Sequence, residues 1–166
     1  MSINVGDQLP DVGIYEYTES DGCNPEGPKL WRLPDLAYKK KVVAIGIPGA
    51  FTPICSGSHV PGYIKEYDAF MQKGIDEIWC FAVNDPFVMW AWSKELNNEG
   101  KIRMLSDGSA ELVTLMDVTL DLTERGMGVR SDRFAMIIDN GVVTEFLREE
   151  PGAFVCTSAT SLLSLL

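Results

Sequence analysis

Histidine is almost missing: one residue, His59, serves all 166 positions. A cysteine hydrolase needs a histidine base held apart from its nucleophile, with an Asn or Asp to orient it. The lone imidazole lies four residues after a cysteine on the same predicted helix, so a separately held base is lacking. Paired cysteines are missing too. The four thiols, Cys23, Cys55, Cys80 and Cys156, contain no Cys-x-x-C pair and do not cluster with the histidine. A zinc centre needs clustered ligands, so no metal site is expected. Separated thiols in a reducing compartment point to core packing and redox chemistry rather than to a disulfide framework.

Positive charge is also scarce. Fourteen Lys and Arg stand against 24 Asp and Glu, a net charge of −10, which repels phosphate backbones and anionic lipid surfaces alike. Neither nucleic acid nor a membrane is therefore an expected partner. No apolar run approaches the length of a membrane span. The opening Met1-Ser2-Ile3-Asn4-Val5-Gly6-Asp7 has neither a basic n-region nor an apolar h-region, so the default compartment is the cytosol. The tail Ser164-Leu165-Leu166 lacks the basic middle residue of a peroxisomal address. With no repeat and no low-complexity tract, residues 1–166 read as one domain, large enough to bury about 70% of its unfolded surface without staples.

What is present alternates between strand and helix. Val42-Val43-Ala44-Ile45-Gly46-Ile47 is short, apolar and rich in β-branched residues, as a buried strand is. Pro48-Gly49-Ala50-Phe51-Thr52-Pro53-Ile54-Cys55 follows, and Cys55 opens a helix that the spacing of Val60, Ile64, Tyr67, Phe70 and Met71 carries for about five turns, to Gly74. Ile78–Val83 is a second buried strand. Asn84-Asp85-Pro86 caps a helix from about Phe87 to Leu96. Ile102–Leu105 is a third strand, with Ser106 and Asp107 as cap candidates for a helix over Ser109–Met116. Phe134–Asp139 and Val142–Leu147 flank Asn140-Gly141, a type I′ hairpin signal. Ser158–Leu166 reads as a last helix, and Tyr15–Leu30 as a turn-rich loop within an N-terminal hairpin. The order is that of an α/β layer fold. It matches a thioredoxin-like fold with a central mixed sheet, an N-terminal hairpin and one inserted strand-helix unit.

Within this order Cys55 stands out. A helix N-terminus offers unpaired N–H groups and partial positive charge, which favour thiolate over thiol. Most free cysteines are small core hydrophobes, but the polar continuation Ser56-Gly57-Ser58 and the Thr52 hydroxyl three residues earlier favour a reactive, accessible thiol. His59, one helical turn on, flanks it in a supporting role.

The string Pro48 to Ser56, with His59-Val60-Pro61-Gly62-Tyr63 after it, resembles the peroxiredoxin active site. Val83-Asn84-Asp85-Pro86-Phe87 and Gly128-Val129-Arg130-Ser131-Asp132-Arg133-Phe134 resemble the type II and peroxiredoxin-5 branch. The resemblance spans nearly the whole chain. It implies a thiol peroxidase that reduces hydrogen peroxide and alkyl hydroperoxides, with Cys55 as the peroxidatic cysteine. Thr52 would orient the peroxide, Pro48 would shield the thiolate and Arg133 would pair with it; Arg130 is the competing arginine. No cofactor is implied, and thioredoxin or glutaredoxin would supply electrons by thiol–disulfide exchange. Cys156 matches the resolving position of the peroxiredoxin-5 group, and Cys80 the second cysteine of plant type II enzymes. Cys156 is favoured because Cys80 lies inside an apolar strand, whereas Cys156 sits in a segment that opens at low cost. Cys23 is a bystander. A homodimer is implied, with Phe51 and Trp90 as apolar contacts. The competing reading is a thioredoxin-like redox-sensing or interaction protein that turns over slowly, against which the intact Thr52 and Arg133 stand.

Overall fold

The computed structural model describes residues 2–19 and 24–166, so Cys23 lies outside the described residues. The chain runs β1 (Gly13–Glu16), β2 (Lys29–Arg32), α1 (Leu33–Ala37) and β3 (Lys41–Ile47), then a π-helical turn over Cys55–His59 that leads into α2 (Val60–Lys65) and α3 (Tyr67–Gln72). β4 (Glu77–Ala82), α4 (Pro86–Glu95), β5 (Ile102–Ser106) and α5 (Glu111–Leu115) follow. A small hairpin of β6 (Thr119–Leu122) and β7 (Gly128–Ser131) precedes β8 (Phe134–Asp139), β9 (Val142–Arg148) and α6 (Ala159–Leu163).

Seven strands form one sheet in the order β2-β1-β5-β4-β3-β8-β9, and β6 and β7 pair separately. β3, β4 and β5 are parallel, while β1 joins β5, and β8 joins β3, in antiparallel fashion. This is the mixed sheet and N-terminal hairpin that the sequence predicts. In β3 every residue after Lys41 is buried, because side chains alternate between two covered faces. Val42 and Ala44 join a core with Trp79, Phe81 and Phe134. Val43, Ile45 and Ile47 join the opposite core with Cys55, Tyr63, Phe70, Cys80 and Trp92. At Asn140 and Gly141 φ is 48° and 83°, the double left-handed geometry of a type I′ turn.

Several boundaries differ from expectation. The helix after β3 begins before Cys55, passes through the π-helical turn and breaks at Glu66 (φ −92°, ψ 9°) instead of running unbroken for five turns. Its apolar residues stay on one face, so periodicity is blind to the break. α5 is shorter than Ser109–Met116. Its N-terminal residue Ala110 is left-handed, and Asp107 caps it from a distance by accepting from the Leu112 and Val113 amides at 3.0 Å. Ser106 ends β5 rather than capping, and its hydroxyl donates to the Asn84 carbonyl. The sequence pattern does not reveal α1 or the β6–β7 pair: α1 is barely more than one turn, and β6 and β7 are four residues each with only Ser131 buried between them.

The topology brings the functional segments to one place. β3 and β4 are parallel, so the Pro48–Cys55 loop and the Asn84–Asp85 loop leave the same end of the sheet, at the carboxyl termini of these strands, and the Asn84 side chain accepts from the Ala50 amide at 2.9 Å. Gly46 pairs with Phe134, and a Cβ at Gly46 would sit inside the Phe134 ring. Only glycine lets β8 approach so closely, and one residue earlier along β8 that approach delivers Arg133 to the end of β3.

Candidate active site

Cys55 sits in the π-helical turn with no solvent-exposed surface, not at an open helix terminus. The loop before it is a tight turn. Phe51 takes φ +64°, uncommon for a side chain of its size, and the Thr52 hydroxyl donates to the Gly49 carbonyl at 2.7 Å. The Thr52 oxygen thus keeps lone pairs free to accept, whereas its proton is already committed. Pro48 is half-buried at the root of the same turn.

Arg133 is buried, at 8% exposure, and its two terminal nitrogens reach in different directions. Nη2 donates to Cys55 Sγ at 3.2 Å, and Nη1 donates to His59 Nδ1 at 2.7 Å. Among the described residues no carboxylate pairs with it within ion-pair distance. A buried guanidinium needs partners for its donors, and the Cys55 sulfur and the His59 ring are the partners in place. Arg130 is spent elsewhere: its Nε donates to the Met127 carbonyl at 2.8 Å, although its guanidinium passes beside Gly49. Of the two candidate arginines, the structure brings Arg133 to the thiol.

His59 is fully buried and does more than flank Cys55. Burial and the neighbouring Arg133 charge drive its pKa from 6.5 to about 3, so the ring is neutral. With Nδ1 accepting from Arg133, the proton resides on Nε2, which donates to the Thr157 carbonyl at 3.1 Å. The Tyr63 hydroxyl donates to the same carbonyl at 2.7 Å. Phe154 lies 5.8 Å from the Arg133 guanidinium carbon and closes this side of the site.

The folded state binds a proton at His59 only near pH 3, and the unfolded chain binds one below about 6.5. Stability is therefore lost as pH falls from 6.5 toward 3, with a limiting slope of about 1.4 kcal/mol per pH unit. Urea unfolding between pH 7 and pH 5, above the ordinary carboxylate range, should show this loss. The difference between wild type and His59→Gln isolates it from other groups, and equal pH slopes in the two proteins would refute a neutral buried imidazole.

The other cysteines differ sharply. Cys80 is buried in the middle of the sheet on β4, paired on both sides, and burial pushes its thiol well up. Cys156 is half-buried just before α6, its thiol also pushed up, first by burial and then by the Glu149 carboxylate. The segment around it is not loose, contrary to expectation. One buried Glu149 oxygen accepts from the amides of Val155 (2.7 Å), Cys156 (2.6 Å) and Thr157 (2.9 Å), and from the Thr157 hydroxyl (3.0 Å). Glu149, Thr157, Phe154 and Asn84 were invisible as site residues in the sequence, since three of them act on or through backbone groups that only the fold brings near. Trp90 is half-buried, whereas Phe51 is 54% exposed and packs 6.5 Å from the Trp92 ring.

Among the described residues no group of three His, Cys, Asp or Glu side chains is arranged to hold a metal ion, and no helix is long and apolar enough to cross a membrane.

The redoxin family model matches residues 4–153. Peroxiredoxin-2D of Arabidopsis thaliana is 44% identical over 164 residues, covering 99% of this chain and 98% of its own. Among solved structures, reduced Prx3 of Vibrio vulnificus in complex with hydrogen peroxide is 40% identical with a TM-score of 0.91, over 98% of each chain. A Burkholderia cenocepacia protein described as a thioredoxin reductase is 47% identical with a TM-score of 0.94, over 100% of this chain and 99% of that one. That description names a different thiol-redox enzyme, so the assignment rests on the relatives named as peroxiredoxins. With a buried thiol held by an arginine at the end of a central strand of a thioredoxin-like sheet, the chain belongs to the peroxiredoxin family of thiol peroxidases.

Proposed function

We propose that Cys55 is the thiol that reduces peroxide and that Arg133 is its electrostatic partner. The observation that carries this is the Arg133 fork, with one arm on Cys55 Sγ and the other on neutral His59. The thiolate attacks one peroxide oxygen, the O–O bond breaks, and the departing alkoxide or hydroxide takes up a proton. Cys55 becomes a sulfenic acid. Negative charge moves from sulfur to the leaving oxygen, and a guanidinium remains a donor to both positions. Thr52 supplies an acceptor for the peroxide proton, and Pro48 walls off water. Because Sγ is closed to solvent, peroxide reaches it only as the surrounding side chains part. The Vibrio vulnificus neighbour, whose structure holds hydrogen peroxide, supports that substrate. Peroxide consumption driven by a thioredoxin or glutaredoxin system tests the reading, and absence of turnover with both would favour a sensing role.

Cys156 is the proposed resolving thiol. Its sulfur displaces the sulfenic hydroxyl of Cys55 as water, leaving a disulfide within one chain that an external dithiol then reduces. Cys80 shares the core of Cys55, but it is sealed in a strand paired on both sides and burial pushes its thiol well up, whereas Cys156 lies in a terminal segment that opens without unpairing the sheet. Cys156→Ser should leave the first oxidation rate intact, and under excess peroxide it should let Cys55 linger as sulfenic acid and advance to sulfinic acid. Peptide mapping that joined Cys55 chiefly to Cys80, or found no bridge, would assign resolution to another thiol.

A homodimer is proposed through the surface around the site, where Phe51 and Phe87 are each 54% exposed and Ile54 is 37% exposed on segments leaving β3 and β4. Trp90, half-buried, contributes less than Phe51. Sedimentation at micromolar concentration should give twice the 18.3 kDa chain mass; a monomer alone refutes pairing.

A further inference from the structure

From the bonds between the two reactive segments, we infer that Glu149 is a positioning residue that couples closure of the Cys156-bearing segment to the readiness of Cys55. This rests on the proposed roles of Cys55 and Cys156 and adds a control that neither cysteine contains. Glu149 follows the end of β9, and its own amide donates to the Arg133 carbonyl at 2.9 Å. Its buried oxygen gathers three consecutive amides and one hydroxyl from Val155, Cys156 and Thr157. That geometry presents the Thr157 carbonyl to His59 Nε2 and to the Tyr63 hydroxyl. His59 is thereby fixed in the tautomer whose Nδ1 accepts from Arg133, and Arg133 is aimed at Cys55 Sγ.

The links that run from Glu149 to Thr157 and on through His59 and Arg133 to Cys55 are buried, so removing one leaves a polar group without a partner, at a cost larger than the value of a single exposed bond. With the segment closed, Thr157 holds His59, His59 holds one arm of Arg133, and the other arm faces the sulfur. With the segment gone, the His59 N–H and the Tyr63 hydroxyl lose their acceptor, and the arginine loses its second point of attachment. Closure also keeps Cys156 beside the Glu149 carboxylate, where burial and negative charge oppose its ionisation. The enzyme is thus armed for peroxide while the resolving thiol is quiet. Opening reverses both conditions, so a single carboxylate separates the two half-reactions in time.

Glu149→Ala and Glu149→Gln test this by stopped-flow oxidation, thiol mapping and the pH profile of Cys55 alkylation. The alanine variant should oxidise about tenfold more slowly, form the Cys55–Cys156 disulfide about tenfold faster once oxidised, and shift its alkylation profile to higher pH. The size is that of losing bonds to a charged acceptor. Glutamine keeps an acceptor oxygen without the charge and should restore most of the oxidation rate, which a purely structural defect in folding would not predict. Repeating Glu149→Ala in a Cys156→Ser background separates the two ideas. There the slow oxidation and shifted profile should persist, because they run through Thr157, His59 and Arg133, even if Cys156 were not the resolving thiol. Glu149→Ala or Glu149→Gln protein that is folded by circular dichroism, yet oxidises at the wild-type rate with an unmoved alkylation profile in both variants, overturns the coupling.

Discussion

Cys55→Ser is expected to bring peroxide consumption down to the uncatalysed background, with the fold intact. A hydroxyl is close to a thiol in size, so the buried core around position 55 is nearly preserved. It is not close in chemistry, because a serine beside Arg133 has no general base to take its proton. His59 cannot serve, since its basic nitrogen already accepts from Arg133. The remaining described thiols cannot substitute, because Cys80 is sealed in the sheet and Cys156 is held against a carboxylate, both pushed away from thiolate. Cys23→Ser should leave turnover near wild type. Substantial turnover in Cys55→Ser would show that the nucleophile had been misassigned.

Arg133→Ala should slow the peroxide step by about two to three orders of magnitude, the usual effect of removing one donor aimed at developing charge in a water-poor site. Two losses combine. The sulfur loses the one guanidinium that, among the described residues, donates to it, and the leaving oxygen loses a donor. Arg133→Lys should recover only part of the rate, since a single ammonium cannot span Cys55 and His59 as the planar fork does. Arg130→Ala should cost much less, because its Nε serves a backbone carbonyl rather than the sulfur. Single-turnover oxidation measured on all three variants decides the ranking. If Arg130→Ala proved the slower, the electrostatic partner would have been assigned to the wrong residue.

Much of this site was legible in the sequence because its groups are local or type-specific. The apolar run of β3, the proline-flanked turn and the cysteine after it fall within about a dozen residues, where periodicity and turn chemistry speak directly. Arg133 was nominated from its place just before β8, and the glycine at position 46 is the physical reason that place is next to Cys55. The accessibility expected of Cys55 is not found, because only Gly57 and Ser58 lie on the outer side of the π-helical turn while Ser56 turns inward to accept from Trp92 Nε1, a geometry with no sequence signature. The looseness of the Cys156 segment was misjudged for a different reason. A run of small and hydroxylated residues reads as a cheap loop, and nothing local reveals that a carboxylate six to eight positions upstream accepts three of its amides. Long-range satisfaction of backbone donors is a property of the fold, not of any window of the chain.

The scarcity of histidine has one more use. His59 carries the only imidazole in the chain, and its two nitrogens face Arg133 on one side and the Thr157 carbonyl on the other. Its ring signals in a nuclear magnetic resonance spectrum therefore need no assignment, and they report from the link between Arg133 and the segment that carries Cys156. A closed site gives one neutral tautomer with a slowly exchanging Nε2 proton. An opened segment replaces the Thr157 carbonyl with water, speeds that exchange and lets the ring titrate toward its ordinary range. The same lone side chain that leaves a cysteine nucleophile without a separate base is thus a built-in reporter on the site.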